Sequence, residues 1–227
     1  MKRQPVSSHR SRRDFLRSTL FGGTAMFTVP GAFAEALTLT PSDTEGPFYP
    51  DQLPLDTDND LLIVNDAITP AVGQVTHLSG VVLDTKGQPV RNALIEIWQV
   101  DNEGIYLHSK APDTEERDKH FQSYGRFVTG STGEYYFRTI KPRYYGRRTA
   151  HIHCAVSRKN QRELTTQIYV EGEPKNETDD LYSKIGGGDP RLQKLVTVPF
   201  KPLSGSATGE LTARMDIVLG LTPAEVA

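Results

Sequence analysis

The stretch Pro142-Arg143-Tyr144-Tyr145-Gly146-Arg147-Arg148-Thr149-Ala150-His151-Ile152-His153 brings phenols, imidazoles and guanidiniums together within twelve residues. His151 and His153 are two apart, so on a β-strand both side chains face the same way. Imidazole suits Zn, Cu, Fe or Ni, and phenolic oxygens arriving from a neighbouring loop would enlarge the donor set. A free phenol releases its proton only at about pH 10. It therefore binds as phenolate to a strong Lewis acid, and ferric iron, a known partner of tyrosinate in haem proteins, is the natural candidate. Zinc at the histidine pair is the other metal reading, although tyrosines would be unusual ligands to it. Taken alone, H-x-H reads most simply as a half-buried strand whose histidines satisfy backbone groups. The rest of the chain has to decide.

The elements that must position these groups read as short strands between turns. Strand patterns cover residues 77–83, 93–100, 126–129, 134–140, 150–157, 164–170, 194–199 and 213–219. The turns between them include Asp84-Thr85-Lys86-Gly87, Asp101-Asn102-Glu103-Gly104 and Ser131-Thr132-Gly133. Residues 37–51 are extended and too rich in proline for helix. Residues 107–122 form a polar loop, and 172–189 a loop or short helix. Regular spacing of short strands predicts an all-β sandwich. Cys154 follows His153 directly, so it points to the opposite face, into a core, as a small buried hydrophobe. Trp98 also reads as core, and His77, His108 and His120 as surface or loop residues.

The chain has 227 residues, a 37% hydrophobic fraction, 19 glycines, 15 prolines and one cysteine. That composition suits a turn-rich globular domain without an internal disulfide. Residues 1–34 read as a targeting segment: six basic residues, a short apolar run from Leu20 to Val29, then the small-residue site Ala32-Phe33-Ala34. The run is too short for a stable membrane span. Ser11-Arg12-Arg13-Asp14-Phe15-Leu16-Arg17 resembles the twin-arginine export signal, which predicts a periplasmic or secreted protein. Residues 35–227 then form one domain. The targeting segment holds six of the 26 bases and one of the 28 acids, leaving 20 against 27, a net charge of −7. An acidic body without a basic stripe excludes nucleic acid as the expected partner.

An ordered set of motifs now comes into view. Thr40-Pro41-Ser42-Asp43-Thr44-Glu45-Gly46-Pro47-Phe48-Tyr49, Glu96-Ile97-Trp98-Gln99-Val100-Asp101 and Gly104-Ile105-Tyr106 come first. Tyr136-Phe137-Arg138-Thr139-Ile140-Lys141-Pro142, Ala150-His151-Ile152-His153 and Thr166-Gln167-Ile168-Tyr169 follow. Together they resemble the intradiol ring-cleavage dioxygenases, nearest to the protocatechuate 3,4-dioxygenase type. The resemblance implies a prealbumin-like β-sandwich with long active-site loops, holding one non-haem Fe(III) per chain. By position, Tyr106 resembles the retained tyrosinate, His151 and His153 the imidazole pair, and Tyr145 the tyrosinate displaced by substrate. Tyr144 competes with Tyr145 for that role. Arg148 resembles the arginine that lies over the substrate ring, Gln167 an amide lining the same pocket, and Gly46 and Pro47 the segment closing one wall.

The reaction implied is cleavage of a catechol by dioxygen between its hydroxylated carbons, giving a cis,cis-muconate type diacid. Oligomeric state is left open, a homo-oligomer being compatible with the resemblance. Only five residues separate Tyr145 from His151, fewer than in well-studied members, and no tryptophan follows Tyr145. A non-catalytic β-sandwich binding module is the rival reading. It accounts for the strands but not for Tyr106, Tyr145, His151 and His153 together.

Overall fold

Strand β1 (Val75–Asp84) alternates half-buried and buried positions along its length, as a strand does when one face of its sheet lies on the core. This computed structural model describes residues 36–54, 56–65 and 68–220. The expected export signal and the boundary at residue 34 lie outside them. β4 (Glu134–Ile140) pairs antiparallel along one side of β1. On the other side β9 (Leu211–Arg214) and β10 (Ile217–Leu219) pair parallel with its first and last parts, and β8 (Lys201–Pro202) lies against β9. The second sheet runs in the order β3 (Tyr124–Val128), β2 (Leu94–Trp98), β5 (His151–Arg158), β6 (Gln161–Val170), β7 (Thr197–Val198). Leu78, Val82 and Phe137 of the first sheet share one buried cluster with Ile97, Cys154 and Ile168 of the second. The architecture is an all-β sandwich, as the strand pattern predicts.

The strand β5 departs from simple alternation, because His151 through Val156 are all buried. Ile152, Cys154 and Val156 enter the inter-sheet core. His151, His153 and Ala155 face the other way, and Ala155 packs in a second cluster with Trp98, Tyr106 and Tyr124, against which Phe48, Tyr49 and Tyr145 lie. The covering layer comes from the segment before β1. The amide of Asp43 donates to the Thr165 carbonyl at 2.8 Å, and that of Thr40 to the Val218 carbonyl at 3.1 Å.

Two strand expectations change. Residues 194–199 begin inside helix α1 (Pro190–Val196), and only Thr197 and Val198 are extended. Asp189 caps that helix by accepting from the Arg191 amide, and Pro190 supplies the fixed first turn. Residues 213–219 split into β9 and β10. Between them the Met215 carbonyl turns towards β1, accepting from the Tyr135 hydroxyl at 2.6 Å. It can come that close because β1 carries Gly80, where a Cβ would collide with it. Residues 107–122 and 172–189 are loops with short 3-10 turns at Thr114–Glu116, Pro174–Glu177 and Tyr182–Gly188. Among the described residues no helix is long and apolar enough to cross a membrane.

Candidate metal centre

Strand register brings the histidines together with their neighbours. His153 lies opposite Trp98 on β2 and Gln167 on β6, and His151 lies opposite Tyr169. Directly opposed residues share a face, so all of these side chains project into the covered outer layer. Tyr106 arrives from the turn after β2. The Asp101 carboxylate organises that turn, its Oδ1 accepting from the amides of Glu103 at 2.9 Å and Ile105 at 3.0 Å.

Three donor atoms converge. The Tyr106 Oη lies 2.9 Å from His153 Nε2 and 3.3 Å from His151 Nε2, and the two Nε2 atoms are 3.3 Å apart. The Tyr145 ring meets the Tyr106 ring edge-on, centroids 5.0 Å apart, and lies 5.8 Å from the His151 ring. Tyr144 points elsewhere: it is 45% exposed, with the Lys175 Nζ 4.4 Å from its ring centre. Phe48 stacks on Tyr106 at 5.0 Å.

The chemistry of the donor set fits a metal ion. His151 Nδ1 lies 2.6 Å from the Thr149 carbonyl, which can only accept, so the proton sits on Nδ1 and Nε2 keeps its lone pair. Burial pushes the His151 imidazole down to about 3, helped by the Arg148 charge, and burial likewise holds His153 well below its usual value. Both rings are neutral at ordinary pH, as ligands must be. Ligands bonded at about 2.0–2.1 Å stand roughly 2.9 Å apart at right angles and roughly 3.4 Å apart tetrahedrally, which brackets the spacings of the three donors. Burial drives the Tyr106 phenol well above its ordinary value, so only a strong cation would ionise it. Among the described residues no three His, Cys, Asp or Glu side chains are grouped so as to hold a metal ion. A metal held here must draw on the phenols.

Arg148 and Gln167 sit beside this centre as a pair. The Arg148 guanidinium donates to Gln167 Oε1 at 2.6 Å, to the Tyr169 hydroxyl at 3.2 Å and, through Nε, to Asp179 Oδ2 at 2.9 Å. Gln167 is fully buried and donates onward to the Thr44 carbonyl at 2.9 Å. Gly46 has φ +71°, and a Cβ there would stand 3.3 Å from His153 Cε1, so the covering segment lies directly over that imidazole. Pro47 is exposed at the start of the next turn. A cavity of about 560 Å³ adjoins both Tyr106 and Tyr145, with Phe48, Ile105, Ala111 and Pro112 also on its wall. A larger groove, about 830 Å³, passes Leu39, Leu164 and Val218 and touches none of the four donors.

Several participants carry no local sequence signal. Trp98 reads as core, and it is buried, but its ring also lies flat on His153. Asp179 is 2% exposed. Burial would raise its carboxyl, but hydrogen bonds from the Thr149 amide and Arg148 hold it below its ordinary value. Glu96, alternating with core residues on β2, accepts from Tyr49 at 2.8 Å, Tyr124 at 2.6 Å and Arg162 at 3.0 Å.

Comparison with known proteins adds the following. The family model described as Dioxygenase matches residues 44–220. Hydroxyquinol 1,2-dioxygenase of Corynebacterium glutamicum is 32% identical over 77% of this chain and 61% of its own length. Catechol 1,2-dioxygenase of Acinetobacter baylyi is 32% identical over 65% of this chain and 51% of its own. The chain thus spans between half and two thirds of these curated relatives. Among solved structures, the dioxygenase domain of a dioxygenase carbohydrate-binding protein fusion from Streptomyces sp. SirexAA-E superposes with a TM-score of 0.61 at 28% identity. That match covers 82% of this chain and all of the other.

Proposed function

We propose that this chain, which belongs to the intradiol ring-cleavage dioxygenases, holds one non-haem Fe(III) and opens a catechol between its two hydroxylated carbons, giving a cis,cis-muconate type diacid. The observation that carries this reading is the meeting of the Tyr106 Oη with the Nε2 atoms of His151 and His153, all within 3.3 Å, with Tyr145 alongside. Tyr106, Tyr145, His151 and His153 would hold the ion. Bound there, ferric iron would supply the Lewis acidity that takes both catechol oxygens and opens the ring to dioxygen.

The chain's own residues divide the remaining work. Tyr106, buried and touching both imidazoles, stays in place as phenolate. Tyr145, half-buried on a loop, gives way to substrate and takes a catechol proton on its Oη. With Tyr145 displaced as the neutral phenol, the Tyr106 phenolate and two neutral imidazoles would leave two positive charges on a ferric ion, which a dianionic catecholate would balance, its second proton passing to solvent. Arg148 presents a fixed positive charge where negative charge accumulates on the ring, and Gln167 sets the angle at which it does so. Gly46 and Phe48 close over His153 and Tyr106 and keep bulk water from the centre.

Export belongs to the same proposal. The Ser11–Arg17 motif supports the twin-arginine route and a periplasmic or secreted protein. Replacing Arg12 and Arg13 by lysine should leave the protein in the cytoplasm, and undiminished export would refute that part.

The direct test of function is a visible spectrum with metal analysis, before and after a catechol is added under nitrogen. A red-brown protein with about one iron per chain, whose band shifts with catechol, supports the reading. A colourless protein that takes up no iron and ignores catechols overturns it.

A further inference from the structure

We propose that Asp179 is a positioning residue that sets, with a single carboxylate, both the Arg148 guanidinium and Thr149, whose carbonyl holds the His151 ring. The inference rests on the functional reading above and assigns a role to a residue far from the histidine strand in sequence. Asp179 Oδ2 accepts from Arg148 Nε at 2.9 Å and from the Thr149 amide at 2.8 Å. Its other oxygen accepts from the amides of Leu181 at 2.9 Å and Tyr182 at 3.2 Å. The carboxylate side chain is 1% exposed, and that of Arg148 16%.

The consequence follows link by link. Thr149 is gripped at its amide by Asp179, and its carbonyl receives the His151 Nδ1 proton at 2.6 Å. Its hydroxyl donates to Asn176 at 2.7 Å, from the same loop as Asp179. Thr149, whose carbonyl fixes the His151 tautomer, is therefore held at its amide and its hydroxyl by the 172–189 loop. Arg148 is next to Thr149 in the chain, and the same oxygen holds its Nε. The remaining guanidinium bonds, to Gln167 and Tyr169, leave it little rotational freedom. A buried charge pair broken on one side leaves the other charge uncompensated. The carboxylate thus governs where the Arg148 charge lies and how firmly His151 Nε2 points at the donor centre.

A purely structural role, that of tying the amides of Leu181 and Tyr182, must be separated from this one. Asp179→Asn removes the charge. Asp189→Asn likewise removes a carboxylate charge in the same region, that paired with Arg191, without touching Arg148, and serves as the control. In folded, iron-loaded protein Asp179→Asn is expected to lower kcat by about ten- to a hundredfold, the scale of small misplacements in a reacting site, while Asp189→Asn does not. Combined with Arg148→Lys, the loss should be smaller than the product of the two single losses, because one arm of the Asp179 effect runs through Arg148. In metal-free full-length protein, nitrogen NMR of the imidazoles should show the protected His151 Nδ1 proton of the parent exchanging at least about tenfold faster in Asp179→Asn as its local opening becomes easier.

An unchanged Nδ1 proton together with unchanged kcat in folded Asp179→Asn overturns the proposal, as does a loss that multiplies with that of Arg148→Lys. If Asp179→Asn does not fold, Asp179→Glu keeps the charge but shifts it by one methylene, and the same NMR change is required of it. If the parent binds iron and opens no catechol, the functional reading falls, and the Nδ1 proton still decides the role of Asp179.

Discussion

Trp98 lies flat against His153, ring centroids 4.8 Å apart and planes inclined by 6°. It is the only tryptophan in the chain, so its emission reports on the imidazole beneath it. Adding ferric iron to metal-free protein should quench that emission with one-to-one stoichiometry, and His153→Ala should remove the response. Trp98→Ala should destabilise the fold by about 3–5 kcal/mol, as large buried aromatics do when truncated, measured by urea unfolding.

The two adjacent tyrosines should separate cleanly. Tyr145→Phe is expected to lose or strongly shift the visible tyrosinate-to-iron band, because that ring packs against Tyr106 and His151. Tyr144→Phe should keep it, since Tyr144 faces Lys175 instead. The reverse pattern in absorption spectra would reassign the ligand.

His151→Ala should abolish stoichiometric iron binding in elemental analysis while leaving a folded sandwich, because the inter-sheet core uses the opposite face of β5. Full iron content in that variant would sink the donor assignment.

Gly46→Ala meets two costs at once. The left-handed backbone costs a residue with a Cβ about 1–2 kcal/mol, and the new atom would press on His153 Cε1 at 3.3 Å. A lower unfolding free energy and a raised KM for catechol are expected. A wild-type KM would show that the covering segment does not bear on the centre.

Burial pushes the Cys154 thiol up to about 12. The folded chain keeps this proton at a pH where the unfolded chain has released it. The thiol contribution to stability is therefore flat below the free-thiol value of about 8.5 and falls as pH rises from there towards 12. Cys154→Ala should flatten the alkaline limb of a plot of Tm against pH. In the native protein at pH 8 the thiol should not react with Ellman's reagent until denaturant is added.

Much of the centre was legible because its parts are local or evenly spaced. The i, i+2 pair on a strand placed His151 and His153 on one face, whereas Tyr106 stood out only through the family resemblance and not through any local pattern. Helix α1 was missed although its Asp189-Pro190 start is a recognisable capping signal; Val196, Val198 and the residues around them read as strand instead. Asp179 had no signal at all. Its partners, Arg148 and Thr149, lie some thirty positions earlier, and an aspartate in a polar loop looks like solvated surface until the fold buries it. The stacking of Trp98 was hidden for a related reason: periodicity shows that a side chain is buried, not which ring it lies upon.

The donor strand has no solvent side. Ile152, Cys154 and Val156 on one face of β5 are the middle of the inter-sheet core, and His151 and His153 on the other are the centre itself. The donor centre and the inter-sheet core therefore share one row of peptide bonds, so a change of a single methylene behind Cys154 should reach the imidazoles. With that strand packed on both faces, the loops are the parts of the framework left free to vary. Residues 107–117 can lengthen, shorten or change charge around the imidazole pair that the core holds fixed, whereas Tyr106, Tyr145 and Arg148 tie their own loops to the centre.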